Sequence, residues 1–329
     1  MALTFYTARG VIMDDIVHSS NGKNITVSVV IPVFNEAGII NELYSRLITV
    51  LDNYTYQVIF VDDGSSDNTF DILRDRSVEN KNITILKLSR NFGHQQAILK
   101  ALQYSAGTVT IVMDGDLQDP PELIPQFIKK WKEGYDVVYA IRQRRKESLF
   151  LRLAYFFYYR LLGYLSDLQI PMDSGDFSLM SNKVVEIICS SKERNLFIRG
   201  LRAFAGFKQT GLIYDRYRRT EGKAKYNLKK LTHLGLDGIF SFSNKPLYYL
   251  TYLGITISGL SLVMGLFFVF LKIFYDVPLQ GWTSLIVTIF FSSGLIIFSQ
   301  GIIALYLGRI FEQVKKRPLF IIDKKINLK

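Results

Sequence analysis

The chain has 329 residues, with 40 Lys and Arg against 29 Asp and Glu, a net charge of +11, and 49% hydrophobic residues. That length admits about two domains, the apolar share gathered in the last third excludes a wholly soluble protein, and a single cysteine, Cys189, excludes an intrachain disulfide. So basic a chain suits nucleic acid, anionic lipid or phosphorylated substrates. Membrane segments make the last two the simpler account, and no nucleic acid is expected.

Residues 1–25 lack a continuous apolar core, carry no recognisable cleavable signal, and are expected to form a poorly ordered N-terminal extension. From Val27 strands and helices alternate. "VSVVIPV" reads as a buried strand, followed by a helix over Ala37–Leu51. "QVIFVDD" is a second strand, then a helix to Glu79; "ITILKL" is a third, then a helix from His94 to Ser105. "TVTIVMD" is a fourth, then a helix from Pro121 to Glu133, and "DVVYA" is a fifth. Near-continuous Val and Ile strands alternating with helices predict an α/β fold whose parallel sheet is covered on both faces.

Ligands of such sheets bind beyond the carboxyl ends of the strands, and the polar clusters sit there: "NE", "DDGS", "SRNFG" and "DGDLQD". No G-x-G-x-x-G follows the first strand, so a dinucleotide-binding fold is disfavoured. Asp114 and Asp116, two apart at a strand end with Gly115 between, can aim oxygens at one ion, and Gln118 adds a neutral oxygen. Hard oxygen ligands suit Mg²⁺ or Mn²⁺ shared with a substrate diphosphate. Asp119 can serve as a helix cap. Asp62 and Asp63 either shape a turn or meet a nucleotide; contact is expected of Asp63 and turn structure of Asp67.

Two stretches suit helices lying in the headgroup layer: Glu147–Ser166, apolar and aromatic with Arg152 and Arg160, and an amphipathic run to residue 245. Between them, Gln209–Tyr217 reads as a strand. Pro246–Leu271 and Val277–Gly308 contain no charged residue. Either run spans a hydrocarbon core about 30 Å thick, so residues 246–308 read as a transmembrane hairpin. Lys229, Lys230 and Lys245 precede it, and Arg309, Lys315, Lys316, Arg317, Lys324 and Lys325 follow, whereas the link carries no Lys or Arg. The positive-inside rule therefore puts both termini and the α/β domain in the cytoplasm, on the plasma (inner) membrane. Small residues four apart, such as Gly254 and Ser258, permit close packing of spans.

The motifs "VVIPVFNE", "VDDGSSDNT", "MDGDLQDPPE", "DSGDFSLM" and "RRTEGKAKY", in this order, resemble the polyprenyl-phosphate branch of the family 2 glycosyltransferases, bactoprenol glucosyltransferases before dolichol-phosphate mannose synthases. The resemblance covers Val27 to about Pro318. It implies a GT-A (Rossmann-like) fold over residues 26–225, a nucleoside-diphosphate sugar donor with UDP-glucose favoured, and a polyprenyl phosphate acceptor at the bilayer. By position, Pro32, Asn35, Glu36 and Asp63 hold the nucleoside, Asp62, Arg90 and Asp114 join them on the nucleotide-sugar side, and Asp114, Asp116 and Gln118 hold the metal. Asp176, in a loop, faces the acceptor and is a catalytic candidate with Asp116. Arg199, Arg202, Arg218, Arg219 and Lys225 meet the lipid phosphate. Ala224 stands where the family pattern carries serine, so the hydroxyl of that pattern is missing here. A homo-oligomer, taken as a tetramer, is expected from the same resemblance. Residues 226–245 form the juxtamembrane helix and 309–329 a basic tail. A processive polysaccharide synthase of the same fold is the rival, but neither Trp131 nor Trp282 ends the Q-x-x-R-W that class carries. A catalytically silent membrane scaffold is the other, and the intact D-x-D argues against it.

Overall fold

The computed structural model describes residues 25–142, 174–191, 193–194, 197–214, 245–275 and 281–328. The N-terminal extension, the helix expected at 147–166, the basic loop with Arg218, Arg219 and Lys225, the juxtamembrane helix before residue 245 and the 276–280 link lie outside the described residues.

Strands β1 (Thr26–Val33), β2 (Thr55–Asp62), β3 (Ile83–Leu88) and β4 (Val109–Val112) are followed in turn by helices α1 (Ile40–Leu51), α2 (Thr69–Glu79), α3 (His94–Leu102) and α4 (Ile124–Lys132). A 3₁₀ turn at Pro121–Leu123 leads into α4, where the prolines are tolerated because first-turn amides need no helical partner. Strand β5 (Val137–Arg142), β6 (Ser174–Ser181), helices α5 (Asn182–Ser190) and α6 (Ile198–Phe204), and β7 (Gln209–Tyr214) complete the domain. Two long helices, α7 (Lys245–Tyr275) and α8 (Trp282–Val314), precede a last strand, β8 (Ile322–Ile326).

The sheet has the order β7-β5-β6-β4-β1-β2-β3-β8. Strands β1 to β5 and β7 run one way, while β6 and β8 run against them. Alternate residues of a strand face opposite sides, and the two cores follow that rule. Val27, Val29, Ile31 and Val33 pack with α1, α2 and α4 on one face. Val30, Ile59 and Val61 pack with α3, α5 and α6 on the other. Seven of the eight residues of β1 are buried, as a central strand covered on both faces requires.

The α/β class and the mostly parallel sheet agree with the sequence expectation; two details correct it. "SGDFSLMS" is not a loop but strand β6, inserted antiparallel between β4 and β5. The alternation rule misses it because Gly, Asp and Ser weaken its strand signal. The basic tail is not simply a tail either: β8 pairs antiparallel with the outer edge of β3. Leu319, Phe320 and Ile322 pack on the second core, and the Asn327 amide donates to the carbonyls of Ser77 and Ile83 at 2.6 and 3.1 Å.

Helices α7 and α8 contain stretches long and apolar enough to cross a membrane, Lys245–Leu271 and Ser284–Val314. Their apolar side chains are exposed, Phe290 by 75% and Ile273 by 70%, which in water would be a large cost. They fit the two arms of a membrane hairpin. The C-terminal end of α8 touches the α/β domain: Arg194 donates through its backbone N–H to Gln313 Oε1 and through Nη1 to the carbonyl of Glu312.

Candidate active site

A cleft of about 270 Å³ opens at the carboxyl ends of β1, β2 and β4, lined by Pro32, Glu36, Asp63, His94, Asp114 and Asp116 among others. The register of the sheet explains its core. Val112 of β4 pairs antiparallel with Ser178 of β6. Two residues onward on one strand and two back on the other, Asp114 comes opposite Asp176. Thus β6, running the wrong way for a parallel sheet, is what brings the two aspartates to the same end.

Of the carboxylates in "DGDLQDPPE", two are committed elsewhere. Glu122 takes a two-pronged ion pair from Arg46 on α1, with both N···O distances 2.9 Å. Asp119 is buried and accepts from the Tyr214 hydroxyl at 2.7 Å. Asp114 and Asp116 remain at the cleft. The turn between them passes so close to β1 that a Cβ on Gly115 would lie 2.8 Å from Val33 Cγ1. Asp116 Oδ1 accepts from the Gln118 backbone N–H at 3.1 Å. Leu117, between them, adopts a left-handed φ of 59°.

Asp114 is short of positive charge. Burial, then the neighbouring Asp119, push its carboxyl up to about 7, against the opposing pull of His94. Its Oδ1 is buried and accepts no hydrogen bond among the described residues; His94 Nε2 stands 3.4 Å away. An unpartnered buried carboxylate oxygen beside a second carboxylate fits a hard divalent cation. Among the described residues no three His, Cys, Asp or Glu side chains form a ready-made metal cage. The fit is therefore that of an ion completing its shell with substrate oxygens, the habit of Mg²⁺.

Asp176 is almost wholly enclosed, its side chain 6% exposed. Arg199 on α6 grips it with Nε to Oδ1 at 2.9 Å and Nη2 to Oδ2 at 3.1 Å. Gln95 Nε2 adds a third donor at 3.3 Å, and His94 Nε2 lies 3.5 Å from Oδ2. Burial alone would raise the Asp176 pKa; the charge of Arg199 and the His94 contact outweigh it and hold the carboxylate well below its usual range. His94 in turn is raised above the ordinary imidazole value: its burial acts downward, but Asp176 and Asp114 win. Arg202, expected at the lipid phosphate, is instead 1% exposed. It lies behind Asp176, its Nη1 toward the Gly175 carbonyl at 3.4 Å and its guanidinium over the Tyr139 ring. Burial lowers its pKa to about 10, so it stays charged at neutral pH.

On the donor side, Pro32 and Glu36 line the cleft. Asn35 has a left-handed φ of 55°, and its Oδ1 accepts from the Ser66 N–H at 2.8 Å, tying the β1–α1 loop to the β2–α2 loop. Asp67, read as a turn residue, binds Thr69 and the Ala37 N–H from the same loop. Asp62 is fully buried and accepts from the Ser65 N–H. Asp63 lines the cleft while its two oxygens accept from the Phe92 and Gly93 N–H groups at 2.8 and 2.9 Å. Burial raises its pKa above the ordinary aspartate value and those two hydrogen bonds oppose the rise. Arg90 is exposed and stacked over Phe92; Gly64 lets the chain pass it, since a Cβ there would meet the Arg90 carbonyl carbon at 2.5 Å.

The structure thus brings together Pro32, Glu36, Asp63, Asp114, Asp116, Asp176 and Arg199, and sets Asp62 and Arg202 in the interior behind them. Sequence reasoning missed His94 and Gln95. Their signal was position: two polar side chains in the first turn of the helix that follows a strand's carboxyl end.

The model of the family described as Glycosyl transferase family 2 matches residues 28–188. The chain is 45% identical over 309 residues to the uncharacterized glycosyltransferase YkcC of Bacillus subtilis, covering 93% of this chain and 96% of that one. It is 43% identical over 302 residues to the uncharacterized glycosyltransferase sll0501 of Synechocystis, at 91% and 95% coverage. It is 37% identical over 301 residues to the SfII prophage-derived bactoprenol glucosyl transferase of Shigella flexneri, at 91% and 97% coverage.

Proposed function

Because the chain belongs to glycosyl transferase family 2 and is a glycosyltransferase, we propose that it moves one hexose from a nucleoside-diphosphate sugar to polyprenyl phosphate at the membrane. UDP-glucose is the favoured donor and undecaprenyl phosphate the favoured acceptor. The observation that carries this reading is the end-to-end similarity to a bactoprenol glucosyl transferase in a chain whose carboxylate-lined cleft ends at the β-strand tips.

The donor's nucleoside lies along Pro32, Asn35, Glu36 and Asp63, with Arg90 near its phosphates. Asp114 and Asp116, with Gln118 beside them, hold a divalent cation, Mg²⁺ or Mn²⁺, which supplies charge neutralisation for the donor diphosphate. The acceptor phosphate attacks the anomeric carbon and the nucleoside diphosphate leaves, inverting that carbon. A phosphate monoester is largely ionised at neutral pH, its second pKa being about 6, so this nucleophile needs little help from a base. Asp176, its oxygens already taken up by Arg199 and Gln95, serves as the anchor that aims Arg199 at the acceptor. Arg218, Arg219 and Lys225 are assigned to the same phosphate from the basic loop. The apolar helices α7 and α8 hold the cleft at the bilayer, with both termini cytoplasmic and the chain a homo-oligomer, taken as a tetramer.

The test is a panel of UDP-glucose, UDP-galactose and GDP-mannose, each with undecaprenyl phosphate and Mg²⁺ or Mn²⁺, followed by lipid extraction. Transfer from UDP-glucose above the others supports the reading; preferential transfer from GDP-mannose overturns the choice of donor.

A further inference from the structure

The first turn of α3 joins the two halves of the cleft. The N–H of Gly93, the residue that caps it, is held by Asp63 on the donor side. The next residue, His94, reaches toward Asp114 and Asp176. The one after it, Gln95, touches the other side in two places. Its Nε2 donates to Asp176 Oδ2 at 3.3 Å, and its Oε1 accepts from the Ile198 backbone N–H at 2.9 Å. Ile198 opens α6, and Arg199 is the next residue. A first-turn amide has no partner within its own helix, so Gln95 supplies the one that α6 lacks.

We propose that Gln95 is a positioning residue: it sets the spacing between Asp176 on β6 and the start of α6, and so aims the Arg199 guanidinium at the acceptor phosphate. This rests on the glycosyl-transfer reading above. The chemistry at position 95 is narrow. Asp176 only accepts and the Ile198 N–H only donates, so the bridge needs one donor and one acceptor at the end of a single side chain, which a primary amide provides. Glutamate could take the Ile198 N–H but would set a second carboxylate against Asp176. Lysine could pair with Asp176 but has no acceptor for the amide. Asparagine is one methylene short. Arg199 depends on the bridge because a bidentate guanidinium contact works only when both partners hold their planes and distance.

The test is a two-substrate kinetic matrix on the purified full-length chain in detergent, with UDP-glucose and undecaprenyl phosphate. Gln95→Met keeps the side chain's length and removes both hydrogen bonds. It should raise KM for undecaprenyl phosphate about tenfold, the scale of hydrogen bonds to charged groups, while kcat and the donor KM stay within about twofold. In an Arg199→Lys background, where the bidentate grip is already gone, the same change should add less than about twofold. Should Gln95→Met fail to fold, Gln95→Asn reads the same split. Equal changes in both KM values, a donor effect alone, or full additivity with Arg199→Lys would make Gln95 an ordinary packing residue and overturn the proposal. A wild-type chain that glycosylates no polyprenyl phosphate from any donor overturns the underlying reading, and this inference with it.

Discussion

Asp114 and Asp116 share one short turn with Asp119 and Glu122, yet only the first two face the cleft, and the difference can be measured. Asp116→Asn and Asp114→Asn should each lower kcat by about 10² or more, the scale of losing a group that stabilises charge in the transition state. Their thermal midpoints should stay close to wild type, since asparagine keeps the size of the side chain and, at Asp114, removes a negative charge that burial and Asp119 disfavour. Glu122→Gln removes an exposed ion pair with Arg46 worth under about 1 kcal/mol, and its turnover should match wild type. Wild-type activity in Asp116→Asn, or full activity in EDTA, would contradict the metal role. Cys189 offers an independent check on the packing. Burial, with Glu186 nearby, pushes its thiol up to about 11, so little of it is thiolate at pH 8. A chromogenic disulfide reagent should react slowly with the folded chain and fast after denaturation; equal rates would mean that α5 is not seated on the sheet. Asp114 and Asp116 were legible as cleft residues because they lie just past the carboxyl end of a buried strand, where an α/β sheet opens its cleft. Asp63 was legible as a cleft residue, but not as the fastener of Phe92 and Gly93, since a hydrogen bond to a distant backbone leaves no trace in local pattern. Arg202 was misplaced for the same reason: its charge suggested a surface, whereas Tyr139 and the Gly175 carbonyl house it inside.

At the scale of elements, strands β1 to β5 announced themselves through unbroken Val and Ile, and the helices between them through their spacing. Strand β6 did not, because a strand that carries a site aspartate and a glycine gives up part of its apolar alternation. Strand β8 did not, because "IDKKI" is an edge strand whose outward lysines are also what a basic tail looks like. That strand has a consequence for the cleft. The Ile321 carbonyl accepts from the Ser89 N–H, so β8 steadies the start of the loop that carries Arg90 and Asn91. A chain ending at Arg317 would lose this bond, the β3 pairing and the packing of Leu319, Phe320 and Ile322. Each such apolar side chain is worth about 1.5–3 kcal/mol when fully buried. The expected outcome is a thermal midpoint lower by more than about 5 °C and a higher KM for the sugar nucleotide. An unchanged midpoint in differential scanning fluorimetry would show that β8 does not hold the sheet edge.

The whole molecule reads as an α/β enzyme domain held to a bilayer by two apolar helices. The proposed orientation rests on the basic residues at the domain-side ends of α7 and α8, among them Lys245, Arg309, Lys315 and Lys316. A cysteine at Gln280 in a Cys189→Ser background should therefore react with an impermeant thiol reagent added outside intact cells. Labelling only after permeabilisation would reverse the topology. The hairpin itself was legible from length and composition alone, because about 20 apolar residues without a charge have few other homes. Its tie to the enzyme domain, through Arg194 and the end of α8, was not, since it depends on a contact between residues more than a hundred positions apart.

A single sugar transferred to a lipid phosphate is the outcome to be measured. Its most direct test is incubation of the purified full-length chain with radiolabelled UDP-glucose, undecaprenyl phosphate and Mg²⁺, followed by solvent partition. The expected result is label in the organic phase, one sugar per phosphate, released as free glucose by mild acid. Label in a water-soluble polymer, or no lipid-bound label under any donor and metal, would contradict it.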